Sequence, residues 1–166
     1  PPVFSPIERR HILSRMQTNA NQLVCFSYIK YSSFTHFMTK KEEANNDWKN
    51  LLGKDTEVLL FAGIANPSLL EDFVRSNSKR YELMQFEDHH TFTKKDMERI
   101  AQHFADLRCP KKIILTTEKD AMRLYQLNLS GIWDTLPFYY VSIAVQFHQQ
   151  DKENFNNHII NYVRSN

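Results

Sequence analysis

Glycine is scarce: the 166 residues contain three, Gly53, Gly63 and Gly131. A Walker A phosphate loop requires two glycines five apart, the second followed by Lys and Ser or Thr. A dinucleotide fingerprint requires three in close succession. Gly53-Lys54 supplies one Gly-Lys pair, but Trp48 stands five positions before it and Asp55 follows the lysine. Both motifs are excluded, and with them the usual backbone cradles for nucleotide phosphates. Cysteine is scarce too, and Cys25 and Cys109 lie too far apart for a CxxC redox pair or a zinc cluster, so they read as reduced thiols. No apolar run reaches the ~18 residues of a membrane-spanning helix. Pro6, Glu8, Arg9 and Arg10 interrupt the segment where a signal peptide would lie. With a formal net charge of +2, there is no concentrated basic surface to suggest nucleic acid as a partner. The chain opens Pro1-Pro2 without an initiator Met, which suggests a piece of a longer protein.

What is present is a regular alternation of strand and helix signals. Ser5, Pro6 and Glu8 form a capping-box start to a helix over 4–18. Residues 22–31 are β-branched and aromatic enough for a strand. Residues 35–50 are polar without a clear period and read as a connector, with a short helix near Asp47–Leu52. From Glu57 the pattern sharpens. VLLFAG (58–63) is a buried-strand run, and Asn66-Pro67 opens a helix to about Asn77. Strands follow at 81–86, 112–116 and 138–147. Helices follow at 94–107, capped by Thr93, at 118–125, and from Asp151 to about Arg164. Met97, Ile100, Ala101 and Phe104 recur at helical spacing. This order predicts an α/β fold with a mainly parallel sheet and helices on both faces, a Rossmann-like three-layer sandwich.

In such a sheet the strand ends share one edge, where ligands bind. Four loops are expected there: Gly63–Pro67, Glu87–His90, Thr116–Asp120 and His148–Asp151. Asp88-His89-His90 admits three readings. A carboxylate-oriented His89 could manage a proton. Adjacent Asp-His-His resembles the signature of manganese-holding phosphoesterases, although the preceding strand lacks the acids that family needs. The histidines could also simply end a strand. Thr117-Glu118-Lys119-Asp120 is equally divided. Thr117 and Asp120 could cap a helix, or Lys119 could meet phosphate with Asp120 fixing it. Asn66 sits where a helix start could bind an anion or only water. Arg9, Arg10 and Arg15 on the first helix read as a solvated face, or as a contact for anionic headgroups.

Taken together, Pro1-Pro2 with Ser5–Arg10, Phe61–Pro67, Phe86–Thr93 with Asp96, and Thr116–Leu124 resemble, in order and spacing, the tetraacyldisaccharide 4′-kinases, with a Bacteroidetes-like character. The resemblance spans most of residues 1–164. It implies the smaller lobe of a two-lobe P-loop-type kinase, which moves the ATP γ-phosphoryl group to the 4′-hydroxyl of a tetraacyldisaccharide 1-phosphate in lipid A synthesis. Residues 1–31 would then end the amino-terminal lobe, 32–55 connect, and 56–166 form the carboxy-terminal lobe. The implied catalytic residue is His89, partner of an Asp base in the missing lobe, with Asp88 and His90 beside it. Asn66, Thr117, Lys119 and Asp120 would face the cleft. ATP and Mg²⁺ would be bound mainly by the missing lobe, with no metal or cofactor expected in this fragment, which should be inactive alone. The implied partners are the P-loop lobe, the lipid A precursor and the cytoplasmic face of the inner membrane. A metal-dependent phosphoesterase built on Asp88-His89-His90, or a non-catalytic α/β interaction module, are the alternatives.

Overall fold

The computed structural model describes residues 5–19, 21–43, 48–148 and 151–165. Pro1-Pro2, Asp47, Gln149 and Gln150, which entered the sequence reading, lie outside the described residues. The elements are α1 (Pro6–Met16), β1 (Ser27–His36), β2 (Glu42–Glu43), α2 (Trp48–Leu51), β3 (Glu57–Ala62), α3 (Ser68–Asn77), β4 (Arg80–Gln85), α4 (Lys94–Asp106), β5 (Lys112–Thr117), α5 (Glu118–Leu124), β6 (Phe138–Phe147) and α6 (Asp151–Ser165). Short 3-10 turns at Tyr125–Leu127 and Gly131–Asp134 lie between α5 and β6. The six-stranded sheet has the order β2-β1-β6-β5-β3-β4. β3 pairs in parallel with β4 and β5, β5 pairs in parallel with β6, and the small β1–β2 ladder is antiparallel. The expected mainly parallel α/β sheet is therefore present. Among the described residues no helix is long and apolar enough to cross a membrane.

The chain divides into two compact units, Pro1–Tyr31 with Ile143–Asn166, and Ser32–Ser142. In the first, α1 starts with the anticipated capping box: Ser5 Oγ accepts from the Glu8 N–H, and Glu8 accepts from the Ser5 N–H. Asp151 departs from its expected role as the cap of α6. Its carboxylate is buried and takes both arms of the Arg9 guanidinium, at 2.7 and 2.6 Å, and the Phe26 N–H at 2.9 Å. A carboxylate out of water needs charge-matched donors more than a helix start needs one acceptor. Arg9 is accordingly not part of a solvated basic face. Its guanidinium also lies 4.4 Å from the centre of the Phe26 ring.

The second unit is built around β3, whose every residue is buried. A strand flanked on both edges and covered on both faces must be apolar throughout, and only Glu57 breaks the rule. Its carboxylate, 1% exposed, is met by Arg80 Nε at 3.2 Å and the Cys109 N–H at 3.0 Å. Phe61 packs against Phe86, Phe92 and Phe138 at centroid distances of 6.3, 5.6 and 5.7 Å. Met97, Ile100 and Phe104 bring α4 onto this cluster. Each such buried side chain contributes about 1.5–3 kcal/mol of transfer free energy. The polar stretch after residue 31 is less of a connector than its composition suggested. β1 runs on to His36, and Phe37 enters the core, stacking on Phe138 at 4.5 Å and Tyr125 at 4.6 Å. Composition obscured this because the buried residues of that stretch are few and separated by polar ones. Helix α3 begins at Ser68, later than the Asn66-Pro67 signal implied. Asn66 still serves the helix start, its side-chain oxygen accepting from the Ser68 N–H at 3.0 Å.

Candidate functional site

Because β4, β3 and β5 lie side by side and parallel, the chain leaves all three at the same edge. The tips after Ala62, Gln85 and Thr117 meet there, and the meeting is made of specific bonds. The centre is Asp120, fully buried in the first turn of α5. Its Oδ2 accepts from the Gly63 N–H at 2.9 Å and from the Thr117 hydroxyl at 2.8 Å. Its Oδ1 accepts from Arg123 Nη1 at 3.0 Å. Thr117 Oγ1 in turn caps α5 by accepting from the Asp120 N–H at 3.1 Å. Both readings of this segment thus share a structural element: Thr117 and Asp120 do cap the helix, and the same carboxylate ties α5 to the β3 tip.

Gly63 is required by closeness rather than by its backbone angles. A Cβ there would lie 3.3 Å from Asp120 Oδ1, 3.4 Å from the Glu87 carbonyl and 3.4 Å from His90 Cβ. Its carbonyl oxygen accepts twice, from the His89 N–H and from Arg123 Nη1, each at 3.2 Å. His89 sits at φ 61°, in the left-handed region that histidine visits more readily than most residues. Its N–H also meets Asp88 Oδ1 at 3.0 Å. The His89 ring is 73% exposed, with Nδ1 3.1 Å from Arg123 Nη2 and Nε2 3.6 Å from Asp88 Oδ2. Lys119 reaches Asp88 Oδ1 at 3.8 Å. His89, Asp88, Lys119 and Asp120 are therefore brought together, as the shared edge predicted.

His90 turns the other way. Its Nε2 lies 3.1 Å from Asp96 Oδ2, and its ring packs 4.8 Å from Phe86 and 5.0 Å from Phe92. Asp96 completes a capping box with Thr93. Burial pushes the Asp96 carboxyl up, but hydrogen bonds from Thr93 and His90 outweigh it and hold the group below its usual range. Asp88, His89 and His90 do not converge on a common point. Among the described residues no group of three or more His, Cys, Asp or Glu is arranged to hold a metal ion. Asn66 is engaged at the start of α3, and the fourth expected tip ends in Asp151, committed to Arg9. His89, His90, Phe92, Arg123 and Gln126 are among the residues lining a cleft of about 320 Å³ beside the tips.

Arg123 lies inside the Thr116–Leu124 segment, and the sequence pattern assigns it no role. The signal was available: it follows Asp120 by three on a helix, the spacing at which side chains meet. What could not be read was that its other nitrogen reaches the β4 loop.

A family model described as LpxK, tetraacyldisaccharide-1-P 4′-kinase, matches residues 7–164. The tetraacyldisaccharide 4′-kinase of Bacteroides fragilis is 32% identical over 169 residues, covering 100% of this chain and 44% of that protein. The enzyme of the same name from Bacteroides thetaiotaomicron is 30% identical over 171 residues, covering 100% of this chain and 45% of that protein. A solved structure described as an apo form of LpxK from Aquifex aeolicus in complex with ATP overlaps 87% of this chain and 38% of its own, with a TM-score of 0.47 and 16% identity. The chain spans less than half the length of these curated relatives. With the family pattern running almost from end to end, and the Bacteroides enzymes matching over the whole of it, the chain belongs to the tetraacyldisaccharide-1-P 4′-kinase family.

Proposed function

We propose that this chain is the carboxy-terminal part of a kinase that transfers the ATP γ-phosphoryl group to the 4′-hydroxyl of a tetraacyldisaccharide 1-phosphate, in lipid A biosynthesis. The observation that carries the proposal is the exposed His89 imidazole, held where three strand tips meet, in a chain matched to that kinase family over residues 7–164. A sugar hydroxyl is a weak nucleophile, and phosphoryl transfer is governed by positioning and charge. In this reading His89 orients a carboxylate supplied by the part of the protein outside this chain. That carboxylate takes the hydroxyl proton as the phosphoryl group moves. Asp88 and Lys119 flank the imidazole, with Lys119 close enough to the rim to meet phosphate oxygens.

The residues present do not fit ATP and Mg²⁺ by themselves. The sequence has no Walker A loop, and both carboxylate oxygens of Asp120 are already engaged by Gly63, Thr117 and Arg123. In this reading those groups are bound by the amino-terminal lobe, and this fragment alone is inactive. The division at Tyr31 and Ser32 supports assigning residues 1–31 to that lobe. The grouping of Ile143–Asn166 with them extends the assignment to α6. Exposed Ile159, Ile160, Tyr162 and Val163 on α6 support cover by a further part of the polypeptide. The lipid precursor would bring the whole enzyme to the cytoplasmic face of the inner membrane.

The test is His89→Ala in the full-length gene product. Turnover is expected to fall more than about tenfold with thermal stability preserved, since ~1.4 kcal/mol of barrier is a factor of ten. Turnover within about threefold of the parent, a barrier change below ~1 kcal/mol, would end the proposal.

A further inference from the structure

We propose that Arg123 is a positioning residue for His89: its guanidinium, anchored on buried Asp120, holds the imidazole in the tautomer that carries its proton on Nε2. The inference rests on the reading of His89 given above and adds which ring nitrogen does the work.

A guanidinium only donates and keeps its charge throughout the working range of a protein. A ring nitrogen 3.1 Å from Arg123 Nη2 must therefore be an acceptor, so Nδ1 carries the lone pair. In the neutral ring the proton is then on Nε2. The guanidinium is planar, and its Nη1 is already fixed by Asp120 Oδ1 at 3.0 Å and the Gly63 carbonyl at 3.2 Å. Those two bonds determine where Nη2 points. Asp120 is itself immobilised, fully buried and bonded to the Gly63 N–H and the Thr117 hydroxyl.

The main chain of His89 is fixed as well. The His89 N–H bonds to the same Gly63 carbonyl that receives Arg123 Nη1. One oxygen atom thus sets both the main chain of His89 and the arm that grips its ring. The left-handed φ of 61° is strained for a residue with a Cβ, and the surrounding bonds sustain it. What remains free is Nε2, on a ring 73% exposed, with its nearest carboxylate oxygen, Asp88 Oδ2, at 3.6 Å, too far for a direct hydrogen bond. The site therefore offers an N–H donor outward. A donor suits a carboxylate or phosphate oxygen and is unsuited to abstracting a hydroxyl proton. His89 is assigned as an orienting donor and not as the base itself.

Four full-length proteins decide the matter: the parent, His89→Ala, Arg123→Lys, and the double variant. Lysine keeps a cation beside Asp120 and should fold, but a compact ammonium cannot span Asp120 and His89 together. The ring ¹⁵N–¹H correlations of His89, recorded at about pH 8.5 above the ordinary imidazole range, are expected to show only the Nε2–H form in the parent. An Nδ1–H fraction should appear in Arg123→Lys. Turnover of Arg123→Lys should fall roughly 10- to 100-fold, the size found when the partners that orient metal-bound imidazoles are removed, with KM for ATP and lipid acceptor little changed. In the His89→Ala background the lysine change should have almost no further effect, because coupled residues are not additive. An Nδ1–H form in the parent, or an equal loss in both backgrounds, overturns the proposal. If His89→Ala alone leaves turnover at the parental level, the role of His89 fails, while the ring correlations still report whether Arg123 selects the tautomer.

Discussion

The Gly63 N–H and the Asp120 carboxylate are joined by a buried hydrogen bond of 2.9 Å. It links the end of β3 to the start of α5, and both residues then reach the His89 loop, Gly63 through its carbonyl and Asp120 through Arg123. This bond is one of several through which the scaffold holds the His89 loop.

Removing the carboxylate should be costly. Asp120→Ala leaves the Gly63 N–H without its acceptor and Arg123 without its counter-charge. Breaking a buried charge pair costs about 3–5 kcal/mol. We expect a loss of about 3 kcal/mol or more in urea unfolding of the full-length protein. A loss below about 1 kcal/mol would mean the pair is dispensable.

Adding a methyl group at Gly63 should also destabilise, by a different route. The new Cβ would press on Asp120 Oδ1 at 3.3 Å and on the Glu87 carbonyl at 3.4 Å, of which the backbone atom cannot swing away. Overpacking of this kind costs typically 1–3 kcal/mol. Gly63→Ala should lower the unfolding midpoint accordingly and reduce turnover more than a distant change of equal stability cost does.

The two histidines should separate cleanly. His90 faces Asp96 and the Phe86–Phe92 pair, so its loss removes a hydrogen bond and some packing at the start of α4. His90→Ala is expected to cost about 1–2 kcal/mol of stability and to leave turnover within about threefold of the parent. A collapse of activity matching that of His89→Ala would reverse the assignment of the two rings.

Stability should depend on acid through Asp151. The Arg9 guanidinium holds its carboxyl below the ordinary range. A carboxylate whose folded value is depressed stabilises fully above the unfolded value of about 3.9 and loses that contribution as pH falls through the folded value. Unfolding free energy should therefore drop on acidification below about pH 4. Asp151→Asn should be less stable at neutral pH and show a shallower acid slope. An identical slope in the variant would contradict the link.

Much of the fold was legible because the physics that shapes it is local. The short apolar run at 58–62 has the pattern of a strand buried on both faces, and Thr93 before a helically spaced apolar set marks a helix start. The apolar and aromatic run at 138–147 coincides with β6. Where local signals and structure differ, a distant partner intervenes. Asp151 has the sequence signature of a cap, yet Arg9 claims it from the far end of the chain. Phe37 stands in a polar stretch whose neighbours give no hint that Phe138 and Tyr125 await it.

The sequence by itself determined the alternation of strands and helices, the absence of a phosphate loop, and the set of polar residues delivered to one sheet edge, because each depends on side-chain type and short-range spacing. The tertiary structure decided which of two adjacent histidines faces solvent, and that Arg123 spans from a buried carboxylate to an imidazole 34 residues away in the chain. Those outcomes rest on distances between separate strand tips, which are set by how the strands order and pair across the sheet.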